Sequence, residues 1–220
     1  MQEFMGFWFE IKTSKRIKRW RIVCNVEGFF IFHFPYRTKN TLQIAEQYIK
    51  ENHAKMNTFL LKQQTRFNTN NDLATQYLNE YPNSLVVFGT QCLAKDCTIE
   101  SLCQRLYAKS KEILDEYALK MQLNYTKLII SFAKSYLGQC NSKAQIKIDY
   151  RNVLCDERLL RYLVVHELAH IRHPNHSKLF WQEVERFYPN YKNTRKELKI
   201  MANRNATILK HYGLLHKRLC

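Results

Sequence analysis

The 220-residue sequence predicts an α+β fold. Short aromatic and β-branched runs fill its first third, long stretches of helical period follow, and the two kinds of segment do not alternate regularly. Phe7 to Ile11, Trp20 to Val26 and Phe29 to Phe34 read as strands, with a tight turn at Glu27-Gly28. Thr41 is placed to N-cap a helix running to about Gln63. Thr65 to Tyr81 is polar and rich in Asn, which predicts a loop with a short helix. Leu85 to Phe88 is a short strand before Gly89, and Thr98 to Met121 is a long helix. Leu128 to Phe132 is an apolar strand. Ala144 to Tyr150 alternates, so that Ala144, Ile146, Ile148 and Tyr150 share a face. The last helix runs from about Tyr191 to His211, with Gly213 as its stop. No internal repeat is present, and one domain over 1–220 is expected.

Function is concentrated between Asp156 and Trp181. His166, Glu167, Leu168, Ala169 and His170 spell H-E-L-A-H. Residues i and i+4 share a helix face, so His166 and His170 can aim two imidazoles at one metal ion, with Glu167 beside them. Average residue usage gives this pattern by chance in fewer than about one chain in a hundred of this length. An amphipathic helix with two surface histidines would share the spacing. However, Leu159, Leu160, Leu163, Val164, Val165, Leu168 and Ile171 surround the pair with a core helix. Asp156 is the expected N-cap, and Pro174 the expected stop.

A catalytic zinc site takes three protein ligands and leaves a position for water. His173 and His176 are both near. His173 would lie beyond the pair along the helix axis, whereas His176 follows the Pro174-Asn175 break, where the chain can fold back. His176 is preferred; Glu183 and Glu185 are runners-up. Ser177 would then cap a helix carrying Leu179, Phe180, Trp181 and Val184. The expected chemistry is a zinc-activated water attacking a peptide carbonyl, with Glu167 as general base and then acid. One Zn2+ per chain is expected.

Val164 to Trp181, V-V-H-E-L-A-H-I-R-H-P-N-H-S-K-L-F-W, resembles the YgjP-like metallopeptidase family, small bacterial proteins with a minimal zincin domain. These are similar at the active site to the SprT-like and WLM groups. Ser135 to Cys140 is similar to the family's S-R-W-G-S-C loop, and Ile146 to Arg151 to its I-x-L-N-x-R strand. Tyr188 to Tyr191 is similar to its P-D-Y segment, and Ser14 to Arg19 to its opening strand. The resemblance spans roughly residues 10 to 200. It implies His166, His170 and His176 as metal ligands and Glu167 as catalytic acid/base. It also implies a zincin core over 98–190, preceded by N-terminal strands and helix (1–64) and a loop with a short strand (65–97). A basic C-terminal helix and tail (191–220) follow. The family's Arg-Trp pair is Tyr136-Leu137 here, and its strand Asn is Asp149. In zincins a strand such as Ala144 to Tyr150 forms the cleft rim and pairs with extended substrate. Ile146, Ile148 and Tyr136 are therefore the candidate substrate-binding residues.

Composition sets further bounds. The longest apolar runs fall far short of the about 20 residues of a membrane span, and Met1 to Glu10 lacks a basic signal n-region. A cytoplasmic location and no membrane partner are expected. Seven cysteines, an odd count with no C-x-x-C pair, are expected to be reduced thiols. Cys140, in the loop before the Ala144 to Tyr150 strand, is expected to be a packed thiol, with a fourth-ligand or switch role as the alternative. The net charge is +16. The excess gathers at Lys12 to Arg21 and in the C-terminal helix and tail (Arg195, Lys196, Lys199, Arg204, Lys210, Lys217, Arg218). Such a balance favours anionic partners, although solvated lysine-rich faces would look the same. The alternative function is thus a basic, nucleic-acid-associated protein. In it the zinc would be structural, or the peptidase would act on nucleic-acid-bound proteins.

Overall fold

The computed structural model describes residues 1–25, 28–36, 39–133 and 135–217. Val26 and Glu27 of the expected strand and turn, and Arg218 of the basic tail, lie outside them. The chain divides into two compact units, residues 1–69 and 70–220.

The first unit is a four-stranded sheet on a helix. Its strands are β1 (Gln2–Phe4), β2 (Phe7–Thr13), β3 (Arg21–Cys24) and β4 (Phe30–Phe34), in the order β1-β2-β4-β3. β2 and β4 run parallel; the other pairs are antiparallel. Alternation sends Phe7 and Phe9 of β2 and Phe30, Phe32 and Phe34 of β4 to one face. They pack there with Ala45, Ile49 and Met56 of helix α1 (Thr41–Glu80). β1 was not expected from the sequence. It is joined to β2 by Met5 and Gly6, both at positive φ (51° and 79°), the geometry of a two-residue type I′ hairpin.

Helix α1 breaks its regular geometry at Asn52 (φ −117°, ψ 20°) and ends only at Glu80. The polar stretch from Thr65 onward was expected to be mostly loop. Thr65 and Thr69 instead donate their hydroxyls to the carbonyls of Leu61 and Thr65 at 2.8 and 2.9 Å, which satisfies them within a helix. Ala74 and Tyr77 are buried in the second core, so packing overrides weak helix propensity.

The second unit opens with a hairpin, β5 (Ser84–Val87) and β6 (Thr90–Leu93), turned by Phe88 and Gly89 at φ 49° and 80°. Helix α2 (Ile99–Met121) follows, started by a reciprocal cap between Thr98 and Ser101. A three-stranded sheet has the order β7-β9-β8, with β7 (Lys127–Ser131), β8 (Gly138–Cys140) and β9 (Gln145–Asp149). Helices α3 (Glu157–Arg172), α4 (Lys178–Phe187) and α5 (Tyr191–His211) complete the unit. No described helix is long and apolar enough to cross a membrane.

The sheet order corrects one expectation. β9, expected at the cleft rim, is the central strand, paired with β7 on one side and β8 on the other. Its Ile146 and Ile148 are 0% exposed and belong to the core, so they are not substrate contacts. The short β8 forms the edge.

β9 ends in a buried polar network that reaches Ala133, Tyr136 and Leu137, ahead of β8. Asp149 accepts from the Ala133 amide at 2.8 Å, the Arg151 amide at 3.1 Å and Arg151 Nε at 2.6 Å. Arg151 also donates to the carbonyls of Ala133 and Tyr136, and Asn152 Nδ2 to that of Leu137. Asp149 is fully buried and the Arg151 side chain nearly so, so truncating one partner strands the other charge. Asp149→Ala is expected to destabilise the second unit by about 3–5 kcal/mol, read as a lowered urea midpoint.

Candidate metal centre

Helix α3 carries the centre because its two ends are fixed and its body is core. Asp156 accepts from the Leu159 amide at 2.8 Å as N-cap. Leu159, Leu160, Leu163, Val164, Val165 and Leu168 are buried. At the other end His173 leaves helical geometry (φ −128°, ψ 93°), as its position before Pro174 requires.

Three histidines converge. Among the described residues, the ligand atoms of His166, His170 and His176 lie within 4.8 Å of one another. His166 Nε2 and His176 Nε2 are 3.1 Å apart. Tetrahedral zinc with nitrogens at 2.0–2.1 Å places ligand atoms about 3.3 Å from one another, so this spacing fits a metal ion. His170 Nδ1 donates to the His173 carbonyl at 3.1 Å, which leaves its Nε2 lone pair free. Tyr162 Oη lies 3.4 Å from His166 Nδ1 and orients that ring similarly. His173 therefore serves through its backbone, and its imidazole stays outside the group.

His176 sits on an aromatic stack. Its ring lies against Trp181 (5.4 Å, 18°), and Trp181 against Tyr191 (5.1 Å, 14°). Buried Phe180 packs on both His166 and His170 at 4.9 and 4.5 Å. Both aromatics come from α4, whose N-cap is Ser177. The pKa of each imidazole is lowered, which favours the neutral form that a ligand needs. His166 is pushed down to about 3 by burial first, then by the neighbouring imidazoles and Arg195. His170 and His176 are lowered by burial too, helped by His176 and by Arg195 respectively.

Glu167 is 3% exposed. Burial pushes its carboxyl up to about 8, opposed only by a hydrogen bond from the Cys140 backbone. It fits against β8 because residue 138 is glycine: a Cβ there would stand 2.8 Å from the Glu167 carboxyl carbon. Backbone directions on β8 follow from its register. Leu137 and Asn141 exchange backbone bonds with β9, so in an antiparallel ladder Gly138 and Cys140 turn theirs outward. A cleft of about 390 Å³ opens here, lined among others by Tyr136, Gly138, His166, Glu167, His176 and Arg195.

Other expected residues take different places. Tyr136 lines the cleft. Glu183, a runner-up ligand, forms an ion pair with Arg172 that ties α4 to α3, and Glu185 is exposed. Cys140 is outside the ligand group; burial, then the Glu167 charge, holds its thiol up at about 11. Sequence reading missed Gly138, Tyr162 and Arg195. Glycine in the S-Y-L-G-Q-C loop and Tyr162 at i−4 from His166 were visible signals.

This α+β domain brings together three imidazoles that could hold a metal ion, at a cleft that Glu167 also lines. The model of the YgjP-like metallopeptidase domain matches residues 39–201, and the chain belongs to this family of metallopeptidases. Its cofactor is accordingly a metal ion and its substrate class peptide or protein. No curated protein matches the chain. Two solved structures are similar to parts of it. One is the metallopeptidase zymogen of Pyrococcus abyssi abylysin, at 24% identity, covering 46% of this chain and 95% of that one, with a TM-score of 0.36. The other is the metallopeptidase zymogen of Methanocaldococcus jannaschii jannalysin, at 26% identity, 42% and 88% coverage, and a TM-score of 0.37.

Gly138→Ala is expected to displace the Glu167 carboxylate while leaving the histidines in place. Peptide cleavage should fall by at least about tenfold with metal content unchanged; paired assays of turnover and bound metal check this.

Proposed function

We propose that the chain hydrolyses peptide bonds with one zinc ion held by His166, His170 and His176 and with Glu167 as general base and then acid. The observation that carries this reading is the convergence of three imidazoles at a cleft that Glu167, buried against Gly138, also lines. Zinc bound there would supply Lewis acidity, bringing the pKa of a water to about 7 and polarising a carbonyl. A cation held by the imidazoles would draw Glu167 back toward its ionised, proton-accepting form. Glu167 then takes the proton of the attacking water and returns it to the leaving amine. Burial keeps competing solvent from the carboxylate. The outward N–H and C=O of Gly138 offer an extended peptide two backbone bonds at the β8 edge, the strand-addition mode.

The structural-zinc alternative is less well supported. Structural zinc sites are closed by four ligands and rich in cysteine. The group here has three imidazoles and no thiolate among the described residues.

Glu167→Gln is expected to keep its zinc and lose peptidase activity by about 10²–10⁴-fold. His176→Ala is expected to lose both. Elemental analysis together with cleavage of a proteome-derived peptide library checks the pair, and a fully active Gln variant would refute the role given to Glu167.

A further inference from the structure

One wall of the cleft is a face of α5. Arg195, Lys199 and Asn203 recur every four residues, so they project on one side of the helix, and all three line the cleft. Arg195 stands next to the metal centre. Its guanidinium lies 4.7 Å from the Trp181 ring, and its charge lowers the pKa of both His166 and His176. Lys199 is one helical turn further on, about 6 Å along the axis.

Arg195 packs on Trp181, but neither cation has its charge neutralised among the described residues. Neither makes an ion pair among the described residues, whereas Glu197 on the same helix pairs with Arg158 and Glu183 of α4 with Arg172. Arg151, which also lines the cleft, is committed to Asp149 and to two carbonyls. Among the described residues the one carboxylate lining the cleft is Glu167, which is buried. A concave site whose free charges share one sign concentrates the opposite charge. The guanidinium presents a planar fork suited to a carboxylate, and the ammonium a second positive point beyond it.

We propose that Arg195 and Lys199 select substrates by a carboxylate, an acidic side chain or the free C-terminus, within about two residues of the bond cleaved. One helical turn spans about two residues of extended peptide, which sets that distance. The proposal rests on the peptidase reading of the site. It does not need turnover for its test, because selection acts in binding.

The probes are dye-labelled alanine-rich hexapeptides with one Glu at each successive position, their Gln and Lys counterparts, and an all-alanine peptide with a free or an amidated C-terminus. Binding is measured by fluorescence anisotropy to the zinc-loaded full chain carrying Glu167→Gln. A carboxylate-bearing peptide is expected to bind about ten- to a hundredfold more tightly than its neutral counterpart. Preference for Glu over Gln identifies a side chain; preference for the free over the amidated terminus identifies the chain end. Adding Arg195→Gln or Lys199→Gln should shrink the preference, and Lys199→Glu should shift it toward lysine-bearing peptides. Lys199 is exposed and makes no ion pair among the described residues, so its two variants decide the matter should loss of the Arg195–Trp181 contact prevent folding. Equal binding of charged and neutral peptides, or a preference that survives Lys199→Glu, would overturn the proposal. Carboxylate-selective binding by a wild-type chain that cleaves none of these peptides or the library would instead refute the peptidase reading alone.

Discussion

Glu167 and Gly138 meet where a helix and a sheet edge could not otherwise approach. A side chain on residue 138 would occupy the place of the Glu167 carboxylate. The remaining features follow from that fit. A carboxylate so deeply buried needs a polar partner, and the outward-facing Cys140 amide supplies it. β8 can turn that amide outward because it is an edge strand, and it is an edge strand because β9 lies between it and β7. The Asp149–Arg151 pair then pins the loop that leads into Gly138. A short chain of contacts thus runs from the central strand to Glu167.

The histidines depend on a second set of contacts. Two are fixed by helical spacing alone. The third comes from beyond a proline and would be mobile without support. Phe180 and Trp181 provide it: one seals the first two rings from below, the other stacks on His176. Pro174, the serine cap of α4 and this aromatic pair form one local device that folds the chain back over the helix end. The same stack carries Arg195, so the group that supports His176 also places a positive charge in the cleft.

Much of this could be read from the residues. Helical period, the Asp156 cap and the proline stop located α3, and the spacing of His166, His170 and His176 anticipated their meeting. The strand pair on either side of Gly28 and the helices from Thr98 and Tyr191 followed from apolar pattern and caps. What failed was relational. Alternation placed Ile146 and Ile148 on one face of a strand, but alternation cannot say whether that strand is central or an edge. The Thr- and Asn-rich continuation of α1 has weak intrinsic propensity, and only burial of Ala74 and Tyr77 keeps it helical. Gly138 reads as a loop glycine until Glu167 is seen against it.

Three imidazoles, and no thiol, are proposed to hold the metal. X-ray absorption at the zinc edge of the zinc-loaded protein tests this directly. Nitrogen and oxygen scatterers at about 2.0–2.1 Å are expected, with outer-shell features of three imidazole rings. A sulfur scatterer at about 2.3 Å, as Cys140 would contribute, or fewer than three rings would contradict it.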